Sequence, residues 1–522
     1  MPSGREFQHR TLPLSCFQHP GLRRLPRLAG IPKQDSTMLK NQLKDPSLLV
    51  DRAYVDGQWI SADDGAMLAI SDPATGEVIA QVPALQGAET RRAIEAAERA
   101  WPAWRARPAA ERAALLERWH QVMLDNVEDL ALIMTLEQGK PLNESRGEIR
   151  YGASFVKWFA EEARRSYGET IPTPSADRRL MTLKQPVGVC AAITPWNFPN
   201  AMITRKCAPA LAAGCTIIVK PSDLTPLSAL ALAVLAERVG IPAGVFSVVT
   251  GMPTAIGEEL TGNPVVRKIS FTGSTPIGRL LMRQSAEHIK RLSLELGGNA
   301  PFIVFDDADL EQAVAGIMLS KFRNAGQTCV CANRILVQNG IYDRFAARLV
   351  EEVAKLKVGN GLEDGVTIGP LINPAAVSKI ARHIDDALSQ GAKLLYGELP
   401  NGDGQFVQPT VLGDTHAGML LANEETFGPV APLMRFTDEA EALALANATP
   451  YGLAAYYFTQ DLRRSWRFGE ALEFGMVGFN TGIISMEIAP FGGIKQSGLG
   501  REGSSYGLDE YLEVKAFHVG GL

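Results

Sequence analysis

Short apolar runs rich in β-branched residues alternate with segments of helical periodicity between residues 187 and 305. A run of about four to eight such residues between turn residues is typical of a buried strand. Strands that alternate with helices in this way predict a parallel sheet with crossover helices. The predicted strands cover residues 187–193, 216–219, 245–249, 268–271 and 292–294, with a helix over 227–238.

The same alternation recurs further along the chain and predicts a second α/β domain. Its strands are expected at 302–304, 335–337, 433–436 and 454–458, and its first helix over 310–321. Ahead of both series, apolar positions recur with helical spacing over 88–119 and 121–138. A chain of 522 residues has room for two or three domains, so we expect an α/β protein with two parallel-sheet domains.

The composition excludes several classes of function. With 46% hydrophobic residues and a net charge of -5, the chain lacks the positive surface that nucleic acid or an anionic membrane would require. The longest apolar runs, such as 229–236, are far shorter than the roughly 20 residues of a membrane span. We therefore expect a soluble protein with neither a nucleic-acid nor a membrane partner.

The cysteines and histidines indicate the compartment and argue against a metal. Six cysteines without paired Cys-x-x-Cys spacing do not form the disulfide framework of a secreted domain, which favours a reducing, cytoplasmic location. The seven histidines are scattered and form no His-Glu-x-x-His motif, so no metal site is expected.

Residues 1–45 are expected to be a disordered N-terminal extension. In residues 1–37, arginine and lysine exceed aspartate and glutamate, and no periodicity is sustained. A transit peptide, which would direct the protein to the mitochondrial matrix, is one alternative. A start codon upstream of a true start at Met38 is the other.

Cys329 follows Gly326, Gln327 and Thr328 in a predicted turn after a helical run. A cysteine attacks a carbonyl group as the thiolate, and a turn allows its thiol to reach a substrate. Taken alone, such a cysteine is more often structural. Its neighbouring motifs favour a catalytic role.

Glu295 ends a predicted strand within Leu-Glu-Leu-Gly-Gly, residues 294–298. Burial among apolar neighbours raises the pKa of a carboxyl toward the range of a general base. An isolated glutamate there would more often cap a helix or form an ion pair. Together with the Cys329 motif it is far more specific, and the pair resembles the general base and nucleophile of the NAD(P)-dependent aldehyde dehydrogenases.

The resemblance to this family runs from about Tyr54 to the C-terminus and implies an organisation into domains. The cofactor-binding domain is expected at 46–163 and 183–295, and the catalytic domain at 296–500. Strands at 164–182 and 501–522 are expected outside both sheets, where they would join subunits of a homodimer or homotetramer.

Asn197 lies in the segment Thr-Pro-Trp-Asn-Phe-Pro, residues 194–199, whose prolines hold it in an extended loop after a strand. Its amide can donate to an oxyanion, although an asparagine in a loop often satisfies turn backbone. The resemblance implies that Asn197 and the Cys329 backbone N–H form the oxyanion hole. It also assigns the neighbouring residues Ile193, Thr194, Pro195 and Trp196 to the cofactor site.

The segment Phe-Thr-Gly-Ser-Thr-Pro-Ile-Gly, residues 271–278, carries a strand into a helix. No Gly-x-Gly-x-x-Gly follows a strand in the first α/β series, so the usual dinucleotide fingerprint is missing. Backbone N–H groups and the Ser274 hydroxyl can instead bind a phosphate at the helix N-terminus, or Ser274 can serve as an ordinary N-cap. The resemblance favours pyrophosphate contact, with Gly273 allowing close approach.

Lys220 ends an apolar strand, at the edge where ligands bind in open α/β sheets. The resemblance implies contact with the adenosine ribose, with Ser222 beside it. Asp223 would accept from the ribose 2′-hydroxyl and repel a 2′-phosphate, so NAD is expected to be preferred over NADP.

Glu425 lies in Glu-Glu-Thr-Phe-Gly-Pro, residues 424–429, which alone would be an acidic turn. The resemblance implies that Glu425 holds the nicotinamide ribose and that Phe427 packs by the nicotinamide ring.

Within the family the chain is most similar to the members that oxidise succinate semialdehyde. Four stretches carry this similarity: residues 197–215, 295–310, 321–334 and 489–504. It implies that Arg205, Arg323 and Ser485 bind the distal carboxylate, for which an arginine fork is well shaped, although each arginine alone is more often a surface salt bridge. Glutarate semialdehyde is the alternative substrate, since one methylene changes binding by only about 1–3 kcal/mol.

Three further hypotheses complete the sequence analysis. Cys331 lies two residues after Cys329 and is either a redox partner for it or a small core residue. A cysteine hydrolase or thioesterase would also use a thiol, but it needs no nicotinamide site. A non-catalytic relative would be expected to lose Cys329, Glu295 or Asn197.

Overall fold

The computed structural model describes residues 39–400 and 404–522. The helices are α1 Gly87–Ala106, α2 Ala109–Asp125, α3 Val127–Gln138, α4 Leu142–Glu162, α5 Ala201–Ala213, α6 Leu227–Arg238, α7 Pro253–Gly262, α8 Thr275–Ser285, α9 Leu310–Lys321, α10 Tyr342–Val353, α11 Pro374–Ser389, α12 Leu420–Asn423, α13 Glu439–Asn447, α14 Leu462–Ala471 and α15 Ser504–Asp509.

The strands are β1 Ala53–Val55, β2 Gln58–Ile60, β3 Met67–Ser71, β4 Val78–Pro83, β5 Thr170–Ile171, β6 Arg178–Pro186, β7 Val189–Ile193, β8 Thr216–Lys220, β9 Phe246–Val248, β10 Val266–Thr272, β11 Arg291–Glu295, β12 Ala300–Val304, β13 Ala332–Gln338, β14 Lys393–Tyr396, β15 Thr410–Thr415, β16 Val430–Phe436, β17 Tyr451–Gly452, β18 Ala454–Phe458, β19 Met476–Phe479, β20 Ile494–Lys495, β21 Gly498–Leu499 and β22 Leu512–Gly520.

The first sheet has eight strands in the order β2-β1-β9-β8-β7-β10-β11-β21. Its five central strands are parallel, and β1, β2 and β21 join antiparallel at the two edges. The predicted parallel sheet is therefore confirmed, and the five predicted strands are its centre. Every residue of β8 is buried, and so are ten of the twelve residues of α6, because each is covered on both sides.

The second sheet has seven strands in the order β14-β15-β16-β13-β12-β18-β19. All are parallel except β14, and four of them are the strands predicted for the second domain. Only residues 296–299 separate β11 of the first sheet from β12 of the second. The two sheets are thus joined by a short connection that leaves Glu295 at the end of one of them.

A third sheet of three antiparallel strands, β22-β6-β5, stands apart from the other two. The predicted outlying strands therefore pair first with each other, because β6 and β22 form a continuous ladder from Arg178 with Gly520 to Pro186 with Leu512. The boundary expected at residue 183 cuts this ladder and is too early. The expected segment 501–522 is also too long, since Glu502 is buried against Arg205 of the main body.

The N-terminal half adds three findings to the expectations. The helical spacing over 88–119 belongs to two helices, α1 and α2, because Pro108 precedes α2 with extended backbone. Strands β1 to β4 were not predicted, since they are short and interrupted by polar residues. Of the extension expected over 1–45, residues 1–38 lie outside the described residues, whereas Leu39 and Leu43 are buried.

Within the part of the chain that the structure describes, no helix is long and apolar enough to cross a membrane.

Candidate active site

The segment that carries Cys329 has an uncommon backbone. Asn324, Ala325 and Gly326 have positive φ angles of 52°, 53° and 74°, a conformation that disfavours side chains with a Cβ. At Gly326 a Cβ would lie 2.2 Å from the Gly428 carbonyl oxygen, so only glycine fits. The predicted turn is therefore present, and it brings Cys329 from the end of α9 to the start of β13.

Asn324 binds this turn to the rest of the site. Its backbone N–H donates to Glu144 Oε2 at 2.9 Å, and its Oδ1 accepts from Gln138 Nε2 at 3.0 Å. Its Nδ2 donates to the carbonyl oxygens of Asn197 at 2.9 Å and Gln327 at 3.3 Å. These bonds offset the strain of two residues other than glycine in the left-handed region, about 1–3 kcal/mol each.

A cavity of about 300 Å³ brings most of the predicted site residues together. It is lined by both carboxylates expected to act there, by the nucleophile, and by residues predicted to bind the phosphates and the nicotinamide. The members that the sequence had predicted are Pro195, Trp196, Asn197, Gly273, Ser274, Glu295, Cys329, Glu425 and Phe427.

The Cys329 thiol lies in a half-buried position on this cavity. Burial raises the pKa of Cys329 to about 12, the Arg205 guanidinium lowers it, and the carboxylates of Glu425 and Glu295 raise it. In this arrangement the thiol is held protonated. A base must therefore take its proton before it can attack a carbonyl carbon.

Glu295 occupies the last position of β11 and is buried. Neither of its carboxylate oxygens has a hydrogen-bond partner among the described residues. Burial raises the pKa of Glu295 well above its usual value, as does the nearby Glu502 carboxylate, while Arg205 and Lys206 lower it. A buried carboxyl with both oxygens free can accept a proton from a thiol or from a water in the cavity.

Asn197 lies on the cavity but uses its amide locally. Its Nδ2 donates to the Gln327 carbonyl oxygen at 3.0 Å, while its Oδ1 has no partner among the described residues. The amide thus satisfies turn backbone, as the structural alternative predicted, and it does so within the turn that leads to Cys329. Lys140, itself ion-paired with Glu148, binds the Asn197 carbonyl at 2.7 Å and fixes the loop.

Glu425 and two aromatic side chains form another part of the wall of this cavity. Glu425 accepts from the Gly298 backbone N–H at 3.2 Å, and burial raises its pKa to about 7. The Trp196 and Phe427 rings pack edge to face with centroids 5.7 Å apart. Phe427 has a φ of 57°, so its ring is aimed by a strained backbone.

Ser274 precedes α8 at the N-cap position, but its side chain makes no capping hydrogen bond. Its hydroxyl is exposed and free to bind a ligand, which removes the support for an ordinary N-cap. A Cβ on Gly273 would lie 2.4 Å from the Phe271 ring, so glycine keeps this approach open. The first turn of α8 therefore offers free N–H groups and a hydroxyl to an anion.

The remaining predicted cofactor residues lie along the carboxyl ends of β7 and β8, outside this cavity. Ile193 pairs with Lys220 in register, and the Thr194 N–H donates to the Lys220 carbonyl at 3.1 Å. Burial lowers the pKa of Lys220 to about 8, whereas the charge of Asp223 raises it. Ser222 accepts from the Leu224 N–H at 3.2 Å, and Asp223 is half-exposed.

A second cavity, of about 360 Å³, lies next to Val330, the neighbour of Cys329. It is lined by Arg323 and Ser485, as predicted for a substrate pocket, and by Glu144. Burial raises the pKa of Glu144 to about 6, while Lys140 and Arg323 lower it. The cavity is thus largely apolar with one arginine and one carboxyl on its wall.

Arg205 differs from its expected role as a free carboxylate fork. It is fully buried and does not line the second cavity, and its Nε donates to Glu502. Its guanidinium lies 4.0 Å from the Phe491 ring centroid, and its Nη2 has no partner among the described residues. Only one end of the guanidinium is therefore available to a ligand.

Cys331 is buried, and its thiol donates to the carbonyl oxygens of Lys321 and Ala332, both at 3.5 Å. It is a free thiol, as Cys329 is.

Two functional candidates, Lys206 and Glu502, were not predicted from the sequence. Lys206 donates to Glu502 Oε1 and to Thr272 Oγ1, both at 2.5 Å, and all three are buried beside Glu295. The available signal was the charged pair Arg205 and Lys206 inside α5, a helix in which every residue is buried. A charge inside such a helix requires a partner, but the partner lies almost 300 positions away.

Among the described residues, no group of three or more histidine, cysteine, aspartate or glutamate side chains is placed to hold a metal ion.

Proteins similar to this chain in sequence are dehydrogenases of the kind that this site indicates. The profile of the aldehyde dehydrogenase family matches residues 59–517. A glutarate-semialdehyde dehydrogenase of Pseudomonas aeruginosa is 60% identical over 482 residues, which cover 92% of this chain and all of that protein. The NADP(+) succinate-semialdehyde dehydrogenase of Escherichia coli K12 is 60% identical over 480 residues, 92% of this chain and all of that protein.

A crystal structure of succinate-semialdehyde dehydrogenase from Burkholderia pseudomallei superposes with a TM-score of 0.91 at 60% identity, covering 92% of this chain and 99% of that one. The chain belongs to the aldehyde dehydrogenase family. It is an enzyme that oxidises a small-molecule aldehyde with NAD(P), and the dehydrogenase prediction is confirmed over the hydrolase and the non-catalytic alternatives.

Proposed function

We propose that this enzyme oxidises a semialdehyde with a distal carboxylate, with succinate semialdehyde as its first substrate. The observation that carries the proposal is that two cavities adjoin at Cys329 and its neighbour Val330. One cavity there holds the predicted nucleophile and base, and the adjoining cavity holds Arg323 and Ser485. An aldehyde carbon at Cys329 would leave its chain directed toward Arg323.

Cys329 and Glu295 carry the chemistry in this proposal. The Cys329 thiol passes its proton to solvent water, and the thiolate attacks the aldehyde carbon to form a thiohemiacetal, whose oxygen receives hydrogen bonds from the Asn197 amide and the Cys329 N–H. Asn197 Nδ2 carries two hydrogens, so one can stay on the Gln327 carbonyl while the other donates to this oxygen. After oxidation, Glu295 takes a proton from a water that cleaves the thioester and releases the carboxylate. Preorganised donors of this kind contribute about 3 kcal/mol each.

The residues around the first cavity fit a nicotinamide dinucleotide. The free Ser274 hydroxyl, the Gly273 backbone and the α8 N-terminus suit a pyrophosphate, and Glu425 with Phe427 suits the nicotinamide ribose and ring. When bound, the cofactor would supply the acceptor for the hydride that leaves the thiohemiacetal carbon. Ile193, Thr194, Lys220 and Ser222 would hold its adenosine end.

We further propose that NAD is preferred over NADP, on the ground of Asp223. Its half-exposed carboxylate lies close enough to Lys220 to affect the pKa of that residue, which puts a negative charge where a 2′-phosphate would come. The Escherichia coli relative named for NADP(+) is the counterexample that makes the measurement necessary.

The experiment is a panel that crosses succinate semialdehyde, glutarate semialdehyde and butanal with NAD and NADP. The highest kcat/KM is expected for succinate semialdehyde with NAD. A preference for butanal would contradict the distal-anion site, and a preference for NADP would contradict the role of Asp223.

Glutarate semialdehyde is the second candidate, because the Pseudomonas aeruginosa relative bears that name at the same identity. Both compounds end in a carboxylate and differ by one methylene, which separates them by about 1–3 kcal/mol. The same panel decides between them.

We also propose a homo-oligomer, a dimer or tetramer, in the cytoplasm. The β22-β6-β5 sheet supports assembly, since β22 is an edge strand with Val514 and Phe517 exposed. The five cysteines of the described residues are unpaired, as a reducing compartment favours. Sedimentation of the wild type and of a Val514→Asp, Phe517→Asp variant tests the assembly, which is expected to fall to a smaller species.

A further inference from the structure

Tyr151 has a buried hydroxyl with no hydrogen-bond partner among the described residues. It lies in α4, and its ring packs edge to face on Phe155 one turn later, with centroids 5.0 Å apart. Buried hydroxyls are nearly always paired, so an unpaired one is informative. By contrast, Tyr456, which lines the second cavity, donates to the Val330 carbonyl at 2.8 Å.

A second unpaired donor belongs to the same group of side chains. Arg205 Nη2 is buried and has no partner among the described residues, although Arg205 Nε is engaged by Glu502. The Arg205 guanidinium lies 5.9 Å from the centroid of Phe155, the ring on which Tyr151 packs. The two side chains that carry a free donor, one neutral and one charged, therefore both lie against the Phe155 ring.

The charges around Tyr151 connect this group to the active site. Burial raises the pKa of Tyr151 above its usual value, and the cations Arg205 and Arg323 oppose that rise. Because burial dominates, the phenol stays protonated at neutral pH and can donate. The two arginines act on Tyr151 through their charges, and Arg323 lines the second cavity, so the hydroxyl lies within electrostatic reach of that arginine.

We propose that the Tyr151 hydroxyl donates a hydrogen bond to the distal carboxylate of the substrate, beside the free Nη2 of Arg205, and so selects anionic over uncharged aldehydes. The inference rests on the proposed function and adds a specificity residue to it. An uncharged aldehyde gives the hydroxyl no acceptor and leaves Arg205 Nη2 unpaired, which disfavours its binding. An anionic substrate pairs both donors at once.

The test is Tyr151→Phe, which removes one oxygen and keeps the ring on Phe155. With succinate semialdehyde, KM is expected to rise and kcat/KM to fall about 10-fold to 100-fold, the value of a hydrogen bond to a charged acceptor. With butanal, kcat/KM is expected to stay within about twofold. The matched control is Tyr167→Phe, whose ring is 72% exposed and outside both cavities.

An equal loss with both aldehydes would mean that the hydroxyl supports the fold or the chemistry, and no loss with either would mean that it does not reach the substrate. Either result overturns the proposal. The wild type tests the proposed function separately, because a wild type that uses butanal as well as succinate semialdehyde lacks a distal-anion site altogether.

Discussion

The Asn324 side-chain amide donates to the Asn197 backbone carbonyl at 2.9 Å. This bond joins the loop after β7, in the first sheet, to the turn before Cys329, in the second. It also holds a residue with a φ of 52° in place. The relative position of the predicted oxyanion donor and the predicted nucleophile is thus held by this amide group together with the bond from Asn197 Nδ2 to the Gln327 carbonyl.

Replacement of Asn324 by aspartate is expected to lower kcat about 10-fold to 100-fold with little change in KM, because the lost donor leaves the Asn197 carbonyl short of one bond and places a carboxylate near the site. Steady-state kinetics measures the effect. Asn339→Asp, an exposed residue on a turn, is the control. A change in KM alone would indicate that Asn324 serves binding instead of alignment.

Glu295→Gln is expected to separate oxidation from hydrolysis. The variant cannot accept a proton from water, so the steady-state kcat should fall by about 10² to 10⁴ while a burst of NADH near one equivalent per site survives. Stopped-flow absorbance at the NADH band records both phases. Loss of the burst together with the turnover would assign Glu295 to activation of Cys329 as well.

The pH dependence of thiol alkylation tests the environment of Cys329. Burial raises the pKa of Cys329 to about 12, above the usual value near 8.5, so the reactive thiolate is the minor form below that pH. Labelling by iodoacetamide in the absence of cofactor should therefore rise about tenfold per pH unit from pH 7 to pH 10. Mass spectrometry of the peptide follows it, with Cys329→Ser as the unlabelled control, and a plateau near pH 7 would contradict the raised pKa.

The hypothesis that Cys331 is a redox partner has a sharp test in diamide, which oxidises two thiols to a disulfide. To bond with Cys329, the Cys331 thiol must leave the carbonyls of Lys321 and Ala332, two weak contacts of 3.5 Å. The wild type is expected to lose activity and regain it with dithiothreitol, while Cys331→Ala keeps it. Equal inactivation of both proteins would leave Cys331 a core residue.

Arg323→Met tests the distal-anion site at its exposed end. Loss of the guanidinium should lower kcat/KM for succinate semialdehyde by a factor equivalent to about 2 kcal/mol or more of binding free energy. The kcat/KM for butanal should change by no more than about twofold. Lys393→Met, which removes an exposed cation that lines neither cavity, is the control. Equal loss with both aldehydes would show that Arg323 supports the cavity wall through its contact with the Phe198 ring, 5.3 Å away.

Sequence patterns predicted the buried strands and the motif residues because both are local. The strands at Thr216–Lys220 and Ala454–Phe458 are continuous apolar runs, and Cys329, Glu295 and Glu425 lie in short motifs that a reader can recognise. The motif residues then met in one cavity.

The rest depended on pairings far apart in the sequence. Nothing near Arg205 shows that Glu502 occupies its Nε, and nothing near Asn197 shows that Asn324 holds its carbonyl. The free Tyr151 hydroxyl has no sequence signal either, since it is defined by the partners it lacks. Such contacts arise from how the helices and strands pack together, and they cannot be predicted from local patterns in a single sequence.

The four residues 296–299 between β11 and β12 also constrain how this enzyme can be cut or rebuilt. A chain broken there would release Glu295 at a new C-terminus, whose extra carboxylate would lie in a buried site already short of hydrogen-bond donors. Complementing fragments and circular permutants are therefore expected to fail at this junction. A cut at Gly404, which is exposed, far from the nucleophile in sequence and outside both cavities, should be tolerated.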